Sequence, residues 1–205
     1  MMKVDLKKEL KRLYGPSAKE VSVVDVPSMN FVMIDGAGDP NTSEEYADAL
    51  EALYSVSYAI KFALKRKEVV DYGVLPLEGL WWTDDMNEFN LEEKSAWKWT
   101  AMIMQFEEYV TEELFEELRS EVYEKKALPA IPRMRFEAFW EGLSAQIMHL
   151  GPFSEEGPTI ERVHGSIEAL GGKPRGKHHE IYLSDFRRTK PERLRTVVRQ
   201  PYVLA

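Results

Sequence analysis

Apolar residues recur at helical spacing over 43–67, "SEEYADALEALYSVSYAIKFALKRK", where Ala49, Leu50, Leu53, Val56, Ile60, Phe62, Ala63 and Leu64 trace one broad stripe. Thr42 or Ser43 stands at the N-cap position, and acidic residues fill the first turn, as the helix dipole favours. Before this helix, "NFVMIDGAG" has the composition of a short strand ending at a glycine turn. After it, "VLPLEGLWWT" (74–83) and "WKWTAMIMQF" (97–106) are β-branched or aromatic and extended. The predicted order is β-α-β-β.

The C-terminal part of the chain repeats that order. "LSAQIMHLGPF" (143–153) predicts a strand running into Gly-Pro, and 157–172 predicts a helix with Pro158 in its first turn and glycines closing it. "KHHEIYLSDF" (177–186) and "RLRTVVRQPY" (193–202) predict two further strands. Laying 76–83 over 178–185 places Glu78 on Glu180 without a gap. A recurrence of four elements in one order predicts an α+β fold of one domain over 1–205, built as a duplicated β-α-β-β repeat. Its pseudo-twofold halves would carry antiparallel sheets around a central ligand cleft. The first half covers 22–121 and includes a following acidic helix over 111–121; 122–142 is a linker; the second half covers 143–205. Pro129 and Pro132 block regular helix in the linker, while Leu6, Leu10 and Leu13 give the first twenty residues one apolar helical face.

Alternation along the second repeat sorts its polar residues. His178, Glu180, Tyr182 and Ser184 share one face of 177–186, and His179, Ile181 and Leu183 share the other. The apolar pair is expected to face the helix layer, leaving Glu180 and Tyr182 in the cleft. In 76–82, Glu78, Leu80 and Trp82 form one set and Leu77, Gly79 and Trp81 the other.

Composition narrows the chemistry. The 205 residues are 44% hydrophobic and 30% charged, with a formal charge of −8, a balance that disfavours a nucleic-acid phosphate backbone as partner. There is no cysteine, which excludes disulfides, thiolate metal sites and a cysteine nucleophile. The charged N-terminus does not resemble a signal peptide, and apolar runs fall short of the ~20 residues of a membrane helix. A soluble cytoplasmic protein without membrane attachment is expected.

Three familiar motifs fail on inspection. "GAGDPN" (36–41) lacks the third glycine of the dinucleotide fingerprint, and Asp39-Pro40 would set a negative charge and a missing N–H beside the phosphates. His178 and His179 point to opposite faces and cannot readily chelate one ion, so no metal site is assigned. No G-x-S-x-G elbow supports a serine nucleophile. Four tryptophans within 81–99, by contrast, suit a pocket for flat hydrophobic ligands.

The segments "DLKKELKRLYG", "VPSMNFVMIDGAGDPNTSEEY", "LPLEGLWW", "WKWTAMIMQ" and "GKHHEIYLSDFRRTKPERLRTVVRQP", in this order, resemble the GyrI-like small-molecule-binding family, in its stand-alone form without DNA-binding helices. The resemblance implies a duplicated fold packed around a hydrophobic cleft, with ligands that are bulky, aromatic and often cationic. It also implies a buried glutamate among stacked aromatics, which corresponds to Glu180, with Tyr182 beside it. Phe106 and Phe186 depart from the family pattern, which often has proline there, and would alter strand ends or the cleft rim.

Some stand-alone members of that family resemble hydrolases that open the cyclopropane of DNA-alkylating natural products. On that reading Glu180 positions or activates water, Tyr182 donates a hydrogen bond, and Trp81, Trp82, Trp99 and Trp140 stack on the ligand, with Glu78 and His178 as further ligand-binding residues. The alternative is a non-catalytic module that sequesters lipophilic cations through the same carboxylate and indoles. A protein docking on a macromolecule such as gyrase is a third class, for which no extended acidic stripe is present. None of these calls for a cofactor, and a homodimer is compatible with each.

Overall fold

The computed structural model describes residues 2–86, 89 and 93–204. In chain order the elements are β1 (Met2–Val4), α1 (Leu6–Glu9), α2 (Lys11–Tyr14), β2 (Ser22–Ala37), α3 (Glu44–Arg66), β3 (Val70–Tyr72), β4 (Leu77–Trp82) and β5 (Lys98–Met104). They continue with α4 (Glu112–Lys126), β6 (Arg135–Leu150), α5 (Gly157–Ala169), β7 (Gly172–Pro174), β8 (His178–Tyr182) and β9 (Arg195–Leu204). The fold is a mixed one in which the main sheet is antiparallel, as expected. The order strand, helix, short strand, strand, strand occurs twice, from β2 to β5 and from β6 to β9.

The residues group into two compact units. The first draws on the N-terminus to Glu9, Met29–Leu75 and Lys94–Phe139; the second on Leu10–Ser28, Pro76–Glu93 and Trp140–Ala205. Strand β4, which belongs to the first sequence half, lies in the second unit and pairs antiparallel with β8.

In the first unit, α3 packs on β3, β5 and α4. Ser43 caps α3, its hydroxyl accepting from the Tyr46 N–H at 3.2 Å, and Thr111 caps α4 by accepting from Leu114 at 3.3 Å. Seven of the eight stripe residues expected on α3 are buried; Phe62 is instead 45% exposed, stacked on Tyr58 with Lys61 against its ring. β2 pairs antiparallel with β5, which sets Gly36 opposite Trp99, and the fully buried Trp99 indole fills the space over that glycine. The "GAG" run thus serves a packing contact. Short β1 and β3 pair parallel, an interaction the pattern did not predict because three-residue strands carry no measurable period.

In the second unit, β9 lies between β8 and β6, and β4 flanks β8; β7 pairs with the end of β9. Helix α5 covers one sheet face through Ile160, Val163 and Ile167, which cluster with Ala145, Ile147, Val198 and Tyr202. Burying such side chains contributes about 1.5–3 kcal/mol each.

Several predicted boundaries move. β6 starts at Arg135, so the expected irregular stretch shrinks to the turn around Ile131–Arg133, where Pro132 sits, and eight residues assigned to the linker are strand. β2 runs for 16 residues although only its C-terminal end looked extended. The expected N-terminal helix breaks into α1 and α2, and α4 continues to Lys126. No helix among the described residues is long and apolar enough to cross a membrane.

The α3 cap gives a direct stability test: Ser43→Ala is expected to lower unfolding free energy by about 1 kcal/mol, read as a lower urea midpoint at unchanged slope.

Candidate functional site

Directly opposed residues in an antiparallel ladder project to the same side, so the registers assign every side chain on β4, β8, β9 and β6 to a face. Glu180 lies opposite Gly79 and Val198; Tyr182 lies opposite Leu77 and Thr196; His178 lies opposite Trp81. Val198 and its β6 partner Ile147 belong to the cluster under α5. Glu180, Tyr182 and His178 are therefore on the helix-covered side. This reverses the expectation that Ile181 would face the helix layer. The reversal follows from what fills the opposite side, which is charged rather than apolar.

On the α5 side, Glu180 is only 6% exposed. The Tyr182 hydroxyl donates to its Oε2 at 2.7 Å, and His178 Nε2 lies 3.1 Å from its Oε1. The Trp81 indole N–H donates to the Tyr182 oxygen at 3.1 Å. Trp81 reaches that oxygen by folding over Gly79, where an added Cβ would sit 2.7 Å from the indole nitrogen. Phe153 meets the Tyr182 ring edge-on at 5.5 Å, Phe186 meets Phe153 at 6.2 Å, and Phe89 tilts against His178 at 5.8 Å. An imidazole, a carboxylate, a phenol and an indole are linked in that order among aromatic rings. Such a carboxylate can hold a water molecule or pair with a cation.

The other face carries a second array. His179 sits between two carboxylates, with Nε2 2.9 Å from Glu78 Oε2 and Nδ1 2.9 Å from Glu141 Oε1. The Tyr14 hydroxyl donates to Glu78 at 2.6 Å. Arg199 donates to Glu141 at 2.9 Å, to Gln146 at 2.9 Å and to the Leu13 carbonyl at 2.8 Å. All four charged residues are at most 2% exposed. Burial alone would lower the His179 pKa, but Glu141 and then Glu78 outweigh it and raise it to about 9. Burial would raise Glu141, yet His179 and Arg199 hold it down at about 2. Burial and then the Glu78 charge push the Tyr14 phenol well up. Glu141 reaches this face because Gly142 takes a positive φ of 71°, which breaks the alternation of β6.

The structure thus brings Glu180, Tyr182, His178 and Trp81 together and sets Glu78 on the opposite side of the sheet. Trp82, half-buried, carries Lys177 Nζ 3.5 Å from its ring centroid. Trp140 is 64% exposed beneath Arg175, and Trp99 belongs to the first unit against Tyr46. Sequence reasoning missed Tyr14, Glu141 and Arg199. The one available signal was Arg199 itself, an arginine in a valine-rich strand, which needs a buried carboxylate. Among the described residues no cluster of His, Asp or Glu is arranged to hold a metal ion.

The model of the GyrI-like small molecule binding domain matches residues 19–202. The chain is a member of that family. An uncharacterized conserved protein from Listeria innocua is 39% identical, with a TM-score of 0.90 over 98% of this chain and 100% of its own. A hydrolase from Listeria innocua is 38% identical, with a TM-score of 0.88 and the same coverage. The C-terminal domain of EcmrR shares the fold at 8% identity, with a TM-score of 0.56 over 91% of this chain and 98% of that domain. Among curated proteins, none matches the chain.

The buried array sets a pH dependence. The folded-state pKa of His179 lies above its ordinary value of 6.5, so its stabilisation is complete below pH 6.5 and lost as pH rises through about 9. Glu141 is depressed from 4.5, so its share is complete above that pH and lost as pH falls through about 2. The melting midpoint is therefore expected to fall between pH 6.5 and 9.5; a flat midpoint there would exclude an imidazolium at 179. Arg199→Met, which leaves Glu141 Oε2 without its partner while His179 keeps Oε1, is expected to cost about 3 kcal/mol in chemical denaturation.

Proposed function

We propose that this GyrI-like chain binds bulky aromatic small molecules on the α5 side of the β4–β8 sheet and hydrolyses electrophilic cyclopropanes there. The observation that carries the reading is the buried Glu180 carboxylate, with both oxygens engaged by Tyr182 and His178 among aromatic rings. The hydrolase from Listeria innocua, 38% identical over nearly the whole chain, supports hydrolytic chemistry. The twofold recurrence of the strand–helix–strands order supports reading the chain as an internal duplication, with Glu180 used in one copy for ligand chemistry and Glu78 in the other for the buried array.

In the proposed reaction, water adds to a ring carbon of a cyclopropane conjugated to a dienone. Glu180 accepts a proton from that water as the new C–O bond forms. The strained C–C bond breaks, and its electron pair passes through the dienone to the carbonyl oxygen, which becomes a phenolate. With ligand bound, the Tyr182 hydroxyl turns its single O–H from Glu180 to that oxygen and the proton is returned to it, so the product is a hydroxyalkyl phenol and no oxidant or cofactor is consumed. His178 holds the second carboxylate oxygen, and Trp81 orients the Tyr182 hydroxyl.

A binding-only reading draws on the same carboxylate as a fixed counter-ion for an aromatic cation, and on a family description that names binding. Loss of dienone absorbance from a spirocyclopropyl cyclohexadienone separates the two. The wild-type chain is expected to turn over many equivalents, with Glu180→Gln slower by about a hundredfold or more and affinity for this uncharged dienone nearly retained, whereas aromatic cations lose their counter-ion and bind more weakly. Stoichiometric binding without turnover would leave the sequestering role. An unchanged rate in Glu180→Gln would remove Glu180 from the chemistry.

A further inference from the structure

Thr196 on β9 lies directly opposite Tyr182 on one side and His149 on the other, so it projects toward the α5 side of the sheet, the face that carries Glu180. It is 1% exposed, and its hydroxyl has no hydrogen-bond partner among the described residues. Both neighbours are already engaged. His149 Nε2 faces the Pro152 carbonyl at 3.2 Å, which can only accept, so that nitrogen carries the proton. His149 Nδ1 then accepts from the Thr159 hydroxyl at 2.9 Å. The Tyr182 hydroxyl donates to Glu180 and accepts from Trp81.

A buried hydroxyl without a partner destabilises the folded chain, because its lost hydration is not replaced. Valine has the same shape, suits a strand at least as well, and would avoid that cost. A polar group held at such a cost beside a cluster of reactive side chains is what a ligand contact requires. We propose that the Thr196 hydroxyl is a specificity-determining group of the Glu180–Tyr182 site, bonding an N–H or oxygen function on an otherwise aromatic ligand. The proposal rests on the reading of this face as the small-molecule site. It adds a selection rule, in which aromatic ligands carrying one hydrogen-bonding substituent are preferred over bare ring systems of the same size and charge.

Two planar cations test it: proflavine, whose amino groups can donate to a hydroxyl oxygen, and 10-methylacridinium, which has no hydrogen-bonding group. Affinities are measured by fluorescence titration of the full chain, alongside melting midpoints. Thr196→Val is expected to weaken proflavine about fivefold, the value of one neutral hydrogen bond. It should leave 10-methylacridinium unchanged and the midpoint unchanged or raised. Equal weakening of both probes would show a packing role and overturn the proposal. If Thr196→Val alters neither probe while Glu180→Gln weakens both, the proposal fails and the site reading stands. If Glu180→Gln alters neither, or neither binds the unaltered chain, the site reading fails and takes the proposal with it.

Discussion

The second unit is organised around one imidazole. His179 lies within hydrogen-bonding distance of Glu78 on one nitrogen and Glu141 on the other, and Glu141 in turn receives Arg199. Two positive and two negative charges alternate in a water-excluded interior, so the array is neutral as a whole and each charge is met by its opposite. That balance offsets a desolvation cost that would be several kcal/mol per unpaired ion. The array also joins β4, β8, β6 and β9 to the segment Leu13–Tyr14, so it fixes strands whose backbone ladders alone would leave free to shift.

A strand of five residues has only two faces to offer. With one face of β8 committed to the ion array through His179, its other face displays His178, Glu180 and Tyr182 together. Their positions are held by the pleat, by the pairing of Gly79 and Val198 on either side of Glu180, and by the Trp81 N–H on the Tyr182 oxygen. The candidate site is thus built on strand backbone, with a buried charged layer behind it. Such support keeps a carboxylate and a phenol at fixed separation without help from a ligand.

Much of this was legible in the residues. The helices α3, α4 and α5 follow from apolar spacing and their flanking residues, because a 3.6-residue stripe leaves little choice about which side is buried. The alternation of β8 correctly separated His178, Glu180 and Tyr182 from His179, since the two-residue period is a property of the extended backbone. Alternation alone does not carry which of the two faces the helix covers. Ile181 suggested a helix-facing side, yet that side is held by charges from Glu141 and Arg199, which are 38 and 20 residues from His179 in sequence.

What the sequence determined by itself was therefore local: the longer helices and strands, their order, the alternation of side chains along each regular strand, and the absence of thiol chemistry. Only the tertiary structure decided which faces meet. It set Glu78 beside His179 and away from Glu180, left Trp140 exposed, and turned Gly142 so that Glu141 could enter the interior. The physical reason is that periodicity follows from backbone geometry within one segment. The pairing of buried charges depends on strand register between distant segments, where a single glycine in a left-handed conformation reassigns a face.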